Sequence, residues 1–346
     1  METNRLLDLF CELARIESPS RREAAMAARC ARELRDLGFQ VRFDASAAQT
    51  GSDTGNLIAH LPGTAPRSLV LSAHMDTVQP CAGIEPAVVD GVVRSVGDTI
   101  LSADDKAGVA AILEGVRRVV EAGSERPDVT VLLTTCEEVH LLGSGALAEG
   151  ELPEGAPCYV LDAAGAPGTV ITGAPCHWSF EARFLGKAAH AGVAPEEGVS
   201  AIAMAAAAVE AMPLGRIDEA TTANVGGRAT NVVPDACMLS GECRSLFPER
   251  ADAQKAAMTA ALEDAAARFG GAVEVDWEKS YDAVLYDEED EVVRDVAAAA
   301  RAAGLAVRLQ HDGGGSDANV LCARGVRAVT LGIGMTAFHS VDEHIA

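Results

Sequence analysis

Basic residues are scarce in this chain: 28 Lys and Arg stand against 51 Asp and Glu, a formal net charge of -23 over 346 residues. Nucleic acid and anionic membrane surfaces both demand basic patches, so neither is expected as a partner. Aromatics are equally sparse at 4%, and the core must be assembled from Leu, Val, Ile and abundant Ala. No uninterrupted apolar run approaches the roughly 18 residues of a membrane span. The nine cysteines are odd in number and none forms a C-x-x-C pair. That fits reduced thiols in the cytoplasm better than a disulfide framework. Met1-Glu2-Thr3-Asn4-Arg5 has an acidic second residue and runs into an amphipathic pattern, so no signal peptide is expected.

What is present is enough for buried cores. The apolar fraction is 49%, and the length favours about two domains. Helices are expected over 3–17 and 20–37, with Thr3 or Asn4 and Ser20 as N-caps and Gly38 as a stop. Strands follow at 39–44 and 56–61, then a strand ending at His74, a helix over 104–122, a strand ending near Thr135 and a strand over 158–161. Apolar, β-branched runs separated by helical stretches predict an α/β fold, a mostly parallel sheet flanked by helices. The texture changes at Gly173-Ala174-Pro175. From 178 to 277 the order strand, helix, strand, strand, helix, strand predicts an inserted ferredoxin-like α+β unit. After 288 a helix (289–303), a strand (305–309), a helix (316–323) and a strand (327–331) rejoin the first sheet. The domains expected are therefore 1–174, an insertion 175–284, and 285–346.

Acids and imidazoles stand where the apolar runs stop. The run Ser68–Ala73 ends in His74-Met75-Asp76, the run Val129–Thr135 ends one residue before Glu137-Glu138, and Cys158–Leu161 ends in Asp162. Asp104-Asp105 opens the long helix, and Val329–Leu331 leads towards His339. Ligands of open α/β sheets bind at the carboxyl ends of the strands, so these side chains converge on one edge. Two imidazoles with several carboxylates form a mixed N/O donor set suited to zinc, with cobalt and manganese as alternatives. His74 is a candidate ligand with Asp76 as the acceptor for its second ring nitrogen. A carboxylate at Asp104-Asp105 can bridge two cations, although an acidic pair complementing a helix dipole reads the same way. Of Glu137 and Glu138, one can bind metal while the other serves as general base.

The segments LSAHMDTV, LSADDKAGVAAIL, TTCEEVHLLGSG, YVLDAAG, GKAAHAGVAPEEGVSAI, TNVVPDAC, HDGGGSDANVL and HSVDEHI occur in order over nearly the whole chain. As a set they resemble the peptidase-T-like, tripeptide aminopeptidase branch of the dinuclear zinc exopeptidase and amidohydrolase family, which includes carboxypeptidase G and succinyl-diaminopimelate desuccinylase. The resemblance implies two Zn2+ per chain. Asp104 would bridge them, with His74 and Asp162 on one ion and Glu138 and His339 on the other. It implies Glu137 as general base, Asp76 as the orienter of His74, and a non-proline cis peptide at Asp104–Asp105. The inserted domain would be a lid that also forms a homodimer, its His190 stabilising the oxyanion. Asn231 and Arg244 would touch substrate, and backbone amides around Gly314 would approach it. A structural salt bridge remains the alternative for Arg244, as a phosphate cradle does for the glycines. Relatives of this kind continue past the final histidine segment into a further helix, which leads one to expect a helix beyond Ala346.

The activity expected is hydrolysis of short peptides, tripeptides foremost, from the amino terminus. An N-acyl amino acid amidohydrolase or a carboxypeptidase on the same site is the near alternative. A metal-binding protein without catalysis, or a cysteine hydrolase using Cys136, are alternatives of other kinds.

Overall fold

The computed structural model describes residues 3–123, 125–189, 195–226 and 236–345, and it divides into two compact units. The first comprises Met1–Thr172, Tyr286–His311 and Ser316–Ala346; the second comprises Gly173–Leu285 and Asp312–Gly315.

A nine-stranded sheet runs through the first unit and takes in Val284–Leu285 at one edge. At its centre lie four parallel strands in the order Asp128–Thr134, Ser68–His74, Pro157–Ala163, Arg327–Gly332. Both faces of these strands are covered, which explains their nearly continuous apolar sequences. Towards one face Ala73, Val131 and Leu133 pack with Leu13, Met26, Leu34, Val109 and Leu113. Towards the other, Val70, Leu132, Cys158 and Val160 pack with Leu321 and Ala328. This alternation is the period-two pleat of a strand. Gln40–Phe43 and Leu57–Leu61 add an antiparallel edge, and Thr169–Ala174 pairs antiparallel on the far side.

The helix expected over 20–37 runs instead from Ala24 to Asp36, with Glu23 at its N-cap position. Ser20 is not its cap: its Oγ donates to Asp76 Oδ2 at 2.7 Å. The helix Ala103–Ala122 is non-helical at Asp104 and Asp105, and the bond between them is cis. Gly108 lets this helix press on the central sheet, since a Cβ there would lie 2.2 Å from the Leu161 carbonyl oxygen. Sequence reading missed the hairpin Pro86–Val89/Val92–Ser95, which joins Met335–Thr336 and His344–Ile345 in a separate four-stranded sheet. Its turn, Asp90-Gly91, has positive φ at both residues (53° and 81°), as the tightest hairpin loops require.

In the second unit the antiparallel order is Gly215–Arg216, Thr221–Gly226, Ala236–Ser245, Cys176–Leu185, Ala272–Tyr281. Helices Ala201–Ala211 and Pro248–Phe269 pack on it through Met204, Ala205, Ala208, Met258, Leu262 and Ala266, against Phe180, Ala182 and Phe184. With the short Gly215–Arg216 strand set aside, the chain order is βαββαβ, as in a ferredoxin-like unit.

Candidate metal centre

The parallel strands deliver their carboxyl ends to one edge. His74 is the last residue of its strand and Asp162 the penultimate residue of its own. Glu137 and Glu138 follow the Asp128–Thr134 strand, and His339 lies between Met335–Thr336 and His344–Ile345. The structure gathers His74, Glu138 and His339 around Asp104, with Asp162 beside His74. Asp104 Oδ1 lies 3.0 Å from His74 Nε2, and Oδ2 lies 3.3 Å from His339 Nε2. Asp162 Oδ1 lies 3.6 Å from His74 Nε2, on the first side. Glu138 Oε2 lies 2.9 Å from His339 Nε2, on the second. One carboxylate therefore faces two imidazoles, each with a further carboxylate beside it. His74, Asp104 and Glu138 offer ligand atoms within 4.8 Å of one another, and so do His74, Asp105 and Asp162. Of the two aspartates, Asp105 is turned elsewhere. Its Oδ2 accepts the His74 main-chain N–H at 3.0 Å, and its Oδ1 lies where a Cβ on Gly108 would meet it.

The donor set fits cations. Glu138 Oε1 is buried and has no hydrogen-bond partner among the described residues, an expensive state for a carboxylate oxygen unless a cation completes it. The acids also oppose one another. Burial, then the charge of Asp162, pushes Glu137 well above the usual carboxylate range. Burial raises Asp162 to about 7, with the field of Asp104 adding to it against the pull of His74. Burial works against ionisation of Asp104 too, but hydrogen bonds from His339 and His74 outweigh it and hold the group below its ordinary value. Hydrogen bonds to Asp104 and Glu138 raise His339 to about 10.

Asp76 makes contacts beyond the expected one to His74. His74 Nδ1 pairs with the Asp76 main-chain carbonyl at 2.8 Å, while the carboxylate Oδ1 lies at 3.5 Å. That carboxylate, fully buried, instead accepts the Glu137 N–H (2.9 Å), the Glu138 N–H (3.2 Å) and the Ser20 hydroxyl (2.7 Å). The preceding amide, Cys136 N–H, goes to Glu23 Oε1 at 3.0 Å. Cys136 sits at φ 55°, so three successive amides of a tight turn are held by two buried acids. Gly143 admits this turn: a Cβ there would lie 2.0 Å from the Thr135 carbonyl oxygen.

Sequence reasoning missed Glu23, Glu343 and Asp317. Glu343 lies in the HSVDEHI segment and accepts the main-chain N–H groups of Leu101, Ser102 and Asp104 at 2.8–2.9 Å. Asp317 opens the helix Asp317–Ala323 behind a Ser316/Asn319 capping box and accepts the Thr134 hydroxyl. The Ser-x-x-Asn spacing was a legible sign of that helix start; nothing local marked Glu23 or Glu343.

His190 and Asn231 fall outside the described residues. Arg244, in the second unit, forms a salt bridge with Glu242 (Nη2–Oε2 3.0 Å), which His177 Nε2 also meets at 3.0 Å. The Gly314 N–H points at Asp312 Oδ1 over 3.4 Å. The glycine that close packing requires is Gly315, where a Cβ would lie 2.4 Å from the Tyr281 ring. Cys136 is buried, and burial together with Glu23 drives its thiol up to about 12. Such a thiol is a poor nucleophile, which removes the basis for a cysteine hydrolase.

An α/β sheet carrying this mixed imidazole and carboxylate set at the carboxyl ends of its strands is the framework of a metallopeptidase. The chain belongs to Peptidase family M20/M25/M40, whose profile matches residues 70–346. It is 42% identical over 344 residues to the YqjE protein of Bacillus subtilis strain 168, covering 98% of this chain and 92% of that one. Among solved structures, aminopeptidase PepT of Bacillus cereus ATCC 10987 superposes with a TM-score of 0.88 at 40% identity, over 99% of this chain and 93% of that one. A tripeptidase from Staphylococcus aureus subsp. aureus Mu50 does so with a TM-score of 0.93 at 37% identity, over 99% and 93%.

Proposed function

We propose that this enzyme is a dinuclear zinc aminopeptidase that releases the first residue of short peptides, tripeptides above all. The observation that carries the reading is the two-sided environment of Asp104, which faces His74 with one oxygen and His339 with the other. Similarity to an aminopeptidase and a tripeptidase at 40% and 37% identity over nearly the whole chain favours peptides as substrates. In this reading Asp104 bridges, His74 and Asp162 hold one ion, and Glu138 and His339 hold the other. Two bound divalent cations would polarise the scissile carbonyl and bring the pKa of water from about 15.7 towards 7. The Glu137 carboxylate then takes the proton from the attacking water and passes it to the leaving amine nitrogen. His190 donates to the developing oxyanion, Asn231 and Gly314 help to seat the peptide, and the second unit serves as lid and homodimer interface. Arg244 is spoken for by Glu242, so the substrate carboxylate would have to displace that acid to use it. No helix among the described residues is long and apolar enough to cross a membrane, and nine unpaired cysteines favour a reducing, cytoplasmic setting.

The test is hydrolysis by the zinc-loaded protein of free-amine dipeptides and tripeptides, N-acetyl amino acids and peptides ending in glutamate, each with a chelator control. Chelator-sensitive release of the first residue from tripeptides is the expected result. Turnover of the acylated or C-terminal glutamate substrates alone would replace the aminopeptidase reading by an amidohydrolase or carboxypeptidase.

A further inference from the structure

We propose that Glu343 is a positioning residue of the metal centre: it locks the turn that carries Asp104 to the loop that carries His339, and so sets the affinity of the ion assigned to Glu138 and His339. The proposal rests on the two-ion reading above.

The two halves of the centre are built differently. His74 and Asp162 stand on strands of seven residues hydrogen-bonded within the sheet, and His74 is fixed further by Asp105 and by the Asp76 carbonyl. Side chains on such elements are held more precisely than side chains on loops. His339 has no such support. It is half exposed, at φ 59°, between two strands of only two residues each. Asp104 is irregular as well, at φ -80° and ψ 104°, after Ser102 at φ 63°. The direction of its carboxylate is therefore not set by the helix it opens.

Glu343 spans these two irregular pieces. It follows His339 by four residues and is 2% exposed. Its Oε2 accepts from Leu101 N and Ser102 N, and its Oε1 from Asp104 N. Both oxygens are thus spent on the backbone that aims Asp104. The amides at a helix start have no partners within the helix and attract negative charge, so a remote acid can seat there firmly. At the other end, Glu343 N–H donates to Ser340 O at 3.2 Å, and Ser340 Oγ to Ala337 O at 2.6 Å, which closes the loop around His339. Glu343 thus links the backbone that carries Asp104 to the loop that carries His339.

A residue that only capped the helix would loosen both halves together when removed. A residue that positions His339 against Asp104 would weaken one ion more than the other, whose His74 and Asp162 stay fixed on their strands. The experiment titrates the full-length, metal-stripped chain with zinc alone, counting ions and affinities for wild type, Glu343→Ala and Glu343→Gln, with thermal melting of each as a check on folding. The expected result is two ions in all three, the weaker loosened roughly 10–100-fold in both variants, the usual cost of losing a partner behind the ligands, and the tighter loosened clearly less. Glu343→Gln keeps the size of the side chain, turns one acceptor into a donor facing an N–H, and carries the test if Glu343→Ala does not fold. Equal weakening of both ions, or unchanged affinities in a folded variant, overturns the proposal while leaving the two-ion reading intact. A wild-type chain that takes up a single ion sinks the two-ion reading and this inference with it.

Discussion

Asp76→Ala separates two accounts of the same acid. If Asp76 serves only to orient His74, removing its carboxylate disturbs one ligand. In the structure His74 Nδ1 uses the Asp76 carbonyl, which alanine retains, and the carboxylate is spent on the amides of Glu137 and Glu138. Hydrogen bonds to charged groups are worth roughly 1.5–3 kcal/mol each, and leaving their buried partners unsatisfied costs about as much. The two amides together put the expected loss at about 3–6 kcal/mol, with the Ser20 hydroxyl free to find water. At the roughly 2–4 °C per kcal/mol of a domain this large, the first unit should melt at least about 6 °C lower. Both tryptophans, Trp178 and Trp277, belong to the second unit, so fluorescence would follow the wrong half and circular dichroism is the better probe. The measurement is made under chelator, so that metal contributes to neither protein, together with hydrogen exchange at the amides of Glu137 and Glu138. Those amides should exchange much faster in the variant. Unchanged exchange there and a melting point within about 2 °C of wild type would refute the assignment and return Asp76 to the role of a histidine orienter.

Glu137→Ala should keep both ions and lose turnover by roughly 10²–10⁴-fold in a steady-state peptide assay; appreciable residual turnover with metal retained removes Glu137 as the base. Gly108→Ala should destabilise the first unit by about 1–3 kcal/mol in denaturant melts, although alanine is the better helix former by about 1 kcal/mol. Its Cβ would press on the Leu161 carbonyl 2.2 Å away, and a neutral or stabilising result would show that the helix and sheet can part there. In the second unit, hydrogen bonds from His177, against the pull of burial, and from Arg244 depress Glu242 from 4.5 to about 2. The folded-state pKa is the lower one, so the contribution is present above about pH 4.5 and is lost as the pH falls towards 2. Trp fluorescence melts of Glu242→Gln should be flatter across that window than those of wild type, and identical slopes would count against the triad.

The fold was legible wherever burial imposes a pattern. Strands covered on both faces need continuous apolar runs, so Ser68–His74, Asp128–Thr134 and Pro157–Ala163 announce themselves, and the polar residues at their ends mark the edge where ligands collect. What sequence reading missed depends on partners far along the chain. Glu23 meets Cys136 across 113 positions, and Glu343 meets Asp104 across 239; no local period encodes such a contact. Ser20 looked like a cap because serine before an apolar run usually is one, yet its hydroxyl goes to Asp76. The Pro86–Ser95 hairpin is a different kind of miss. Asp90-Gly91 between valine pairs is a strong local turn signal, but the strands it joins have only four residues each and are little buried, so no long apolar run marks them.

The acidity of the chain also has a second meaning beyond solubility. Burial, and in most of them the field of neighbouring acids, raises the carboxyls of Asp105, Glu137, Glu138, Asp162 and Asp317 together. Such a cluster needs positive charge close by. Lys106 does not supply it to the ligands, since its ammonium is buried and donates to the Ile16 carbonyl. Nor can protonated His74 and His339 supply it and still act as ligands, because an imidazole binds metal only when neutral. The same two rings cannot be both the counter-charge and the donors. In the two-ion reading, cations between them would resolve the conflict: the imidazoles would bind in neutral form and the carboxylates would be ionised, able to hold metal and accept a proton. The two-ion reading would thus also supply the counter-charge that this concentration of buried acid calls for.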